Sequence, residues 1–95
     1  MRPIDDENSG DENDEIYLLN RVDSLVATAH EDIREGEQSL EGLVKAAYVL
    51  GRIAELLDGQ PTRVIRRAAE DWNEVAAIFN QTSVRYGSRF KVRKL

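Results

Sequence analysis

The sequence predicts an all-α protein, a three-helix antiparallel bundle with a short extended C-terminal arm. Three observations carry that expectation. Apolar residues recur at spacings of three and four along three successive stretches, the periodicity that lines one face of a helix. The breaks between the stretches, Gly36-Glu37 and Gly59-Gln60-Pro61, are short, and short connections make consecutive helices neighbours. From Thr82 onward the pattern changes to alternation: Val84, Tyr86, Phe90 and Val92 share one parity, and Arg85, Arg89, Lys91 and Arg93 the other.

Residues 1–13 hold Asp5, Asp6, Glu7, Asp11 and Glu12, with Arg2 as the only base. Almost nothing in this stretch can be buried, so packing does not offset the entropy of ordering it. A disordered acidic leader is expected.

The first helix is expected over residues 14–35. Asn13 or Asp14 can cap its free amides, and Asp14 and Glu15 face the positive end of the helix dipole. Ile16, Leu18, Leu19, Val22, Leu25, Val26, Ala29 and Ile33 form its apolar face. Gly36 then reads as a left-handed C-terminal cap.

The second helix is expected over residues 38–58, entered through Ser39. Its stripe is Leu40, Leu43, Val44, Ala47, Leu50, Ala54 and Leu57, widened by Ala46, Val49, Ile53 and Leu56. Such breadth implies burial on more than one side. Gly42 and Gly51 each cost about 0.5–1 kcal/mol relative to alanine inside a helix, which points to a close backbone neighbour at both.

The third helix is expected over residues 61–80, with Pro61 in its first turn. Ile65, Ala68, Trp72, Val75, Ala76 and Phe79 form its core face. Trp72 is the expected aromatic anchor of the core or of a dimer seam. Arg66 with Glu70, and Arg67 with Asp71, are spaced for pairing on the solvated side.

Residues 82–95 are left as a basic-apolar arm. A lone strand is unstable, so this segment needs another strand, its own domain or a partner to lie against. Its basic parity suits phosphates or an acidic protein, so nucleic acid is an alternative partner.

Composition narrows the function classes. The chain has 95 residues, no cysteine and a net charge of -5. That rules out disulfides, thiolate zinc sites and cysteine nucleophiles. A core built from about two thirds of such a chain is small, and natural proteins of this size often supplement it by oligomerising. A homodimer is therefore expected. No apolar run is long enough to cross a membrane, and the acidic N-terminus is unlike a secretory signal, which points to the cytoplasm. His30 stands just off the apolar face and reads as a surface histidine. There is no nucleophile elbow, glycine-rich phosphate loop or zinc spacing.

Glu31, Asp32 and Glu35, followed by Glu55 and Asp58, resemble the acidic signature of the all-α nucleotide pyrophosphatases of the MazG and dimeric dUTPase type. The resemblance implies magnesium ions held by Glu31, Glu35, Glu55 and Asp58 that activate water against a nucleoside triphosphate. The sequence departs from that family where Gly36 stops the helix after Glu35 and where Asp58 sits at a helix end. Trp72 to Val75, with Asn80-Gln81 and Arg85-Tyr86-Gly87, is similar to the C-terminal end of a small all-helical phage anti-CRISPR. That implies a phage- or plasmid-type inhibitor of a larger nucleic-acid-processing complex, without naming a target.

Taken together, the residues favour a non-catalytic regulator, adaptor or inhibitor with no cofactor. It would bind a protein partner through a helical face and the arm residues Arg85, Tyr86, Arg89, Phe90, Lys91 and Arg93.

Overall fold

The computed structural model describes residues 3–87 and 91–95, with side chains from Asp14 onward. Among the described residues there are three α-helices, α1 (Pro3–Gly36), α2 (Leu40–Leu57) and α3 (Thr62–Ser83), then a 3₁₀ turn (Val84–Tyr86) and no strand. The fold is all-α, as the periodicities predict.

Helix α1 begins at Pro3, well before the expected start at Asp14 and within the stretch expected to be a disordered leader. The residue types there suit a helix N-terminus: proline at the first position and acids in the opening turns, toward the positive end of the dipole. A helix of 34 residues is about 51 Å long at ~1.5 Å per residue. It therefore accounts for most of the molecule's 57 Å long dimension.

The core joins Val22, Val26, Ala29 and Ile33 of α1 to Leu43, Ala46, Leu50, Ile53 and Leu57 of α2 and Ala68, Trp72, Val75 and Phe79 of α3. Ile16 was expected on the buried face of α1, but it stays about half exposed. At that level α1 has the first turn of α3 beside it, where Arg63 pairs with Glu15.

Helix α2 starts as expected, with the Ser39 hydroxyl accepting the Glu41 N–H at 3.2 Å. Its buried face is turned from the expected one. Leu43, Ala46, Leu50, Ile53 and Leu57 point inward, whereas Leu40, Val44 and Tyr48 are 55%, 60% and 66% exposed. Gly42 explains the rotation: a Cβ there would lie 2.5 Å from Gly36 N and 2.8 Å from Asp32 O. Its side of α2 must therefore face the end of α1, which carries Leu43 and Ala46 inward and Leu40 and Val44 out.

Two other glycine expectations change. Among the described residues only Gly59 and Gly87 have positive φ, so Gly36 is not a left-handed cap. It is the last residue of α1, and a Cβ on it would come within 3.0 Å of Leu43 N. Gly51 has no close neighbour, since a Cβ there would meet nothing within 4 Å.

Gly59, at φ 79°, turns the chain between α2 and α3. The Gln60 N–H bonds back to Leu57 O at 3.1 Å. Pro61 stands just before α3, and its carbonyl accepts the Val64 and Ile65 amides. Val64 is fully buried and Ile65 only partly so. The other core positions expected on α3 are buried.

Helix α3 continues through Thr82 and Ser83, both buried, into the stretch where alternation predicts a strand. Ser83 Oγ donates to Asn80 O at 3.0 Å, which satisfies the hydroxyl without leaving helical geometry. The 3₁₀ turn then brings the Tyr86 hydroxyl to the Gly36 carbonyl, one of the acceptors left open at the end of α1. Gly87, at φ 71°, ends the turn. Ion pairs link different helices, Arg63 with Glu15 and Lys45 with Glu35 at 3.4 Å, and His30 Nε2 lies 3.8 Å from Glu74 across α1 and α3.

The two helix-interior glycines of α2 should respond oppositely to alanine. Gly42→Ala should destabilise the fold by roughly 1–3 kcal/mol, because backbone atoms must move to admit the methyl group. Gly51→Ala should stabilise it by about 0.5–1 kcal/mol through helix propensity alone. Urea unfolding of the two variants checks both signs.

Candidate interaction surface

Asn73 and Asn80 are seven residues apart on α3, two turns, so both amides emerge on one side of the helix. The rise between them is about 10.5 Å. Three residues of extended chain cover about 10 Å, the same distance from Val92 to Leu95. The two spacings match, and the C-terminal segment lies along α3 in the opposite direction.

Each amide takes both backbone groups of one residue. The Val92 N–H donates to Asn80 Oδ1 at 2.8 Å, and Asn80 Nδ2 donates to Val92 O at 3.0 Å. The Leu95 N–H donates to Asn73 Oδ1 at 2.6 Å, and Asn73 Nδ2 donates to Leu95 O at 3.2 Å. Between them Trp72 Nε1 donates to Arg93 O at 2.7 Å. The result is a ladder in which helix side chains take the place of a neighbouring strand. It supplies backbone groups of residues 92–95 with the partners they need.

The arm residues named by the sequence do not act alike. Arg85, Lys91 and Arg93 are exposed. The Tyr86 hydroxyl is bound to Gly36 O, so this residue fastens the end of α3 to the end of α1. Val92 packs against the core. Arg89 and Phe90 lie outside the described residues.

Beside the segment, a hollow of about 230 Å³ is floored by Ala47, Leu50, Gly51, Ala54 and Trp72 and bordered by Lys91, Val92 and Arg93. A second, of about 260 Å³, lies on the other side of Trp72 against Leu57, Ile65 and Leu95. Lys91 and Arg93 thus stand beside an apolar trough that runs along α2. On the outer side of α2, Leu40, Val44 and Tyr48 follow one another at four-residue spacing as an exposed stripe. Arg52 lies over the Tyr48 ring at 6.0 Å from its centroid.

The four carboxylates of the nucleotide pyrophosphatase pattern are not brought together. Glu35 pairs with Lys45, and Glu55 lies ten residues farther along α2, about 15 Å on. Asp58 is beyond that, at the C-terminal cap. Among the described residues no three of His, Asp and Glu form a group that could hold a metal ion.

The Asn73/Asn80 pair escapes the sequence reading. Its one signal is two identical amides at a two-turn spacing beside Trp72, and that signal acquires meaning only once the chain folds back along α3. No family model matches this sequence, nor does any curated protein or solved structure.

Asn80→Ala should cost roughly 1–3 kcal/mol, because it leaves two partly buried backbone groups without a partner. Hydrogen exchange at the Val92 amide should quicken while far-UV circular dichroism stays unchanged. Unaltered exchange would show that the ladder does not hold the segment.

Proposed function

We propose that this chain is a non-catalytic interaction protein, a small regulator, adaptor or inhibitor, that binds a macromolecular partner through its C-terminal arm and an adjoining helical face. One observation carries the reading. The backbone of residues 92–95 is engaged with Asn73, Asn80 and Trp72, while the side chains of Lys91 and Arg93 there, and of Arg85 in the preceding 3₁₀ turn, are exposed. A charged surface whose main chain is already tied down loses less entropy on binding than a mobile one.

The scaffold is read as a three-helix antiparallel bundle. Contacts of α1 with α3 advance along both helices together, Glu15 with Arg63 and His30 with Glu74, which supports a common direction for that pair with α2 reversed. The last part of the arm, residues 91–95, is read as extended from the match between its ladder spacing and the rise of α3. The stripe of Leu40, Val44 and Tyr48 supports a homodimer, with α2 as the contact. The expected compartment is the cytoplasm, and no helix among the described residues is long and apolar enough to cross a membrane.

The mechanism is occlusion or tethering. The arm's cations orient an acidic surface, and the trough over Gly51 accepts an apolar side chain from it. Nucleic acid is the second reading, favoured by the same exposed cations, and it requires affinity that falls steeply with salt.

The triple variant Arg85→Glu, Lys91→Glu and Arg93→Glu separates this function from folding, because none of the three side chains is buried. In an affinity pull-down beside the intact chain, the variant should lose the partner while keeping its helical spectrum. Undiminished capture would sink the proposal, and the salt dependence of any capture distinguishes protein from nucleic acid. For the dimer, Val44→Glu should lower the mass measured by light scattering to that of one chain. A mass unchanged by the substitution would place any self-association elsewhere.

A further inference from the structure

The ladder on α3 reads main-chain atoms. Asn80 takes the N–H and C=O of Val92, Asn73 takes those of Leu95, and Trp72 takes the Arg93 carbonyl. All three receptor groups belong to α3, and all the bonded ligand groups belong to a short segment beyond Gly87. Among the segment's described residues, Val92 is the side chain packed against the core. Nothing in this chemistry requires the segment to come from the same copy of the chain.

We propose that Trp72, Asn73 and Asn80 form a binding site for an extended peptide segment, filled within one copy by its own residues 92–95 and filled by the same segment of a second copy through exchange. Exchange preserves every hydrogen bond of the ladder, so it has little intrinsic cost. Gly87, at φ 71°, ends the 3₁₀ turn and marks the departure point. From Gly87 to Lys91 is four residues, a reach of at most about 14 Å. For the segment to cross, a second copy must therefore bring the Asn80 end of its α3 within that reach of Gly87. The site lies on the inward side of the arm. It is separate from the outward cations proposed to meet a partner, and either proposal can fail without the other.

Two full-length variants test it. In Asn73→Ala/Asn80→Ala the site is disabled and the segment is intact. In Val92→Pro/Leu95→Pro the site is intact, but the segment has lost both ladder N–H donors. With the first chain labelled with nitrogen-15 and the second added unlabelled, hydrogen exchange at the labelled Val92 amide should slow at least tenfold. Addition of a chain carrying both sets of substitutions should leave it unchanged. No slowing, or equal slowing by the doubly disabled chain, overturns the proposal. Far-UV circular dichroism verifies that each variant keeps its helices. Should the double proline lower helicity, Val92→Asp replaces it as the segment-disabled chain.

Discussion

Where α1 ends and α2 begins, the two backbones meet closely because Gly42 carries no side chain; a Cβ would stand 2.5 Å from Gly36 N and 2.7 Å from the Glu35 carbonyl carbon. The linker between these helices is only residues 37–39, so α2 cannot move away without losing its direction as well. That approach fixes the rotation of α2 and selects Leu43, Ala46, Leu50, Ile53 and Leu57 as its buried face. The carbonyl of Gly36 is also where the Tyr86 hydroxyl binds. The same short stretch of backbone therefore sets both the entry of α2 and the point where the chain leaves α3.

Features governed by local chemistry were legible in the sequence. Ser39 as a cap, the turn at Gly59-Gln60-Pro61, the three helical periods and the burial of Trp72 all follow from side-chain type and spacing. Gly42 was also legible, because glycine in a helix interior has a propensity cost that a close neighbour explains. Gly51 has the same cost and no such neighbour, and propensity alone could not separate the two. The outward turn of Leu40 and Val44 was hidden for a related reason: a broad apolar arc fits several rotations of α2, and only the contact at Gly42 chooses one. Alternation from Val84 to Val92 favoured a strand, yet burial of Thr82 and Ser83 and the tie from Tyr86 to Gly36 keep the chain helical through Tyr86.

The candidate surface was legible in its charges and not in its support. Arg85, Lys91 and Arg93 stand out in any reading of a basic C-terminus. Lys91 and Arg93 are held in place by a pair of asparagines on α3 that bond the backbone of Val92 and Leu95, a role that depends on the segment running back along α3. The surface that residues 92–95 lie against is a row of side-chain groups from Asn73, Asn80 and Trp72. This ties the small core to the outer surface, since the segment that displays the cations also covers Trp72. Loosening one should loosen the other.

The ladder also has an evolutionary consequence. The side chains of Asn73, Asn80 and Trp72 bond peptide groups of residues 92–95, so the path of these residues along α3 constrains little of their content beyond Val92. Outward positions such as Lys91, Arg93 and Lys94 are then free to drift under selection for a changing partner while the scaffold keeps its shape. Among diverged versions of this chain, the asparagines and the tryptophan should persist where the charges they display do not.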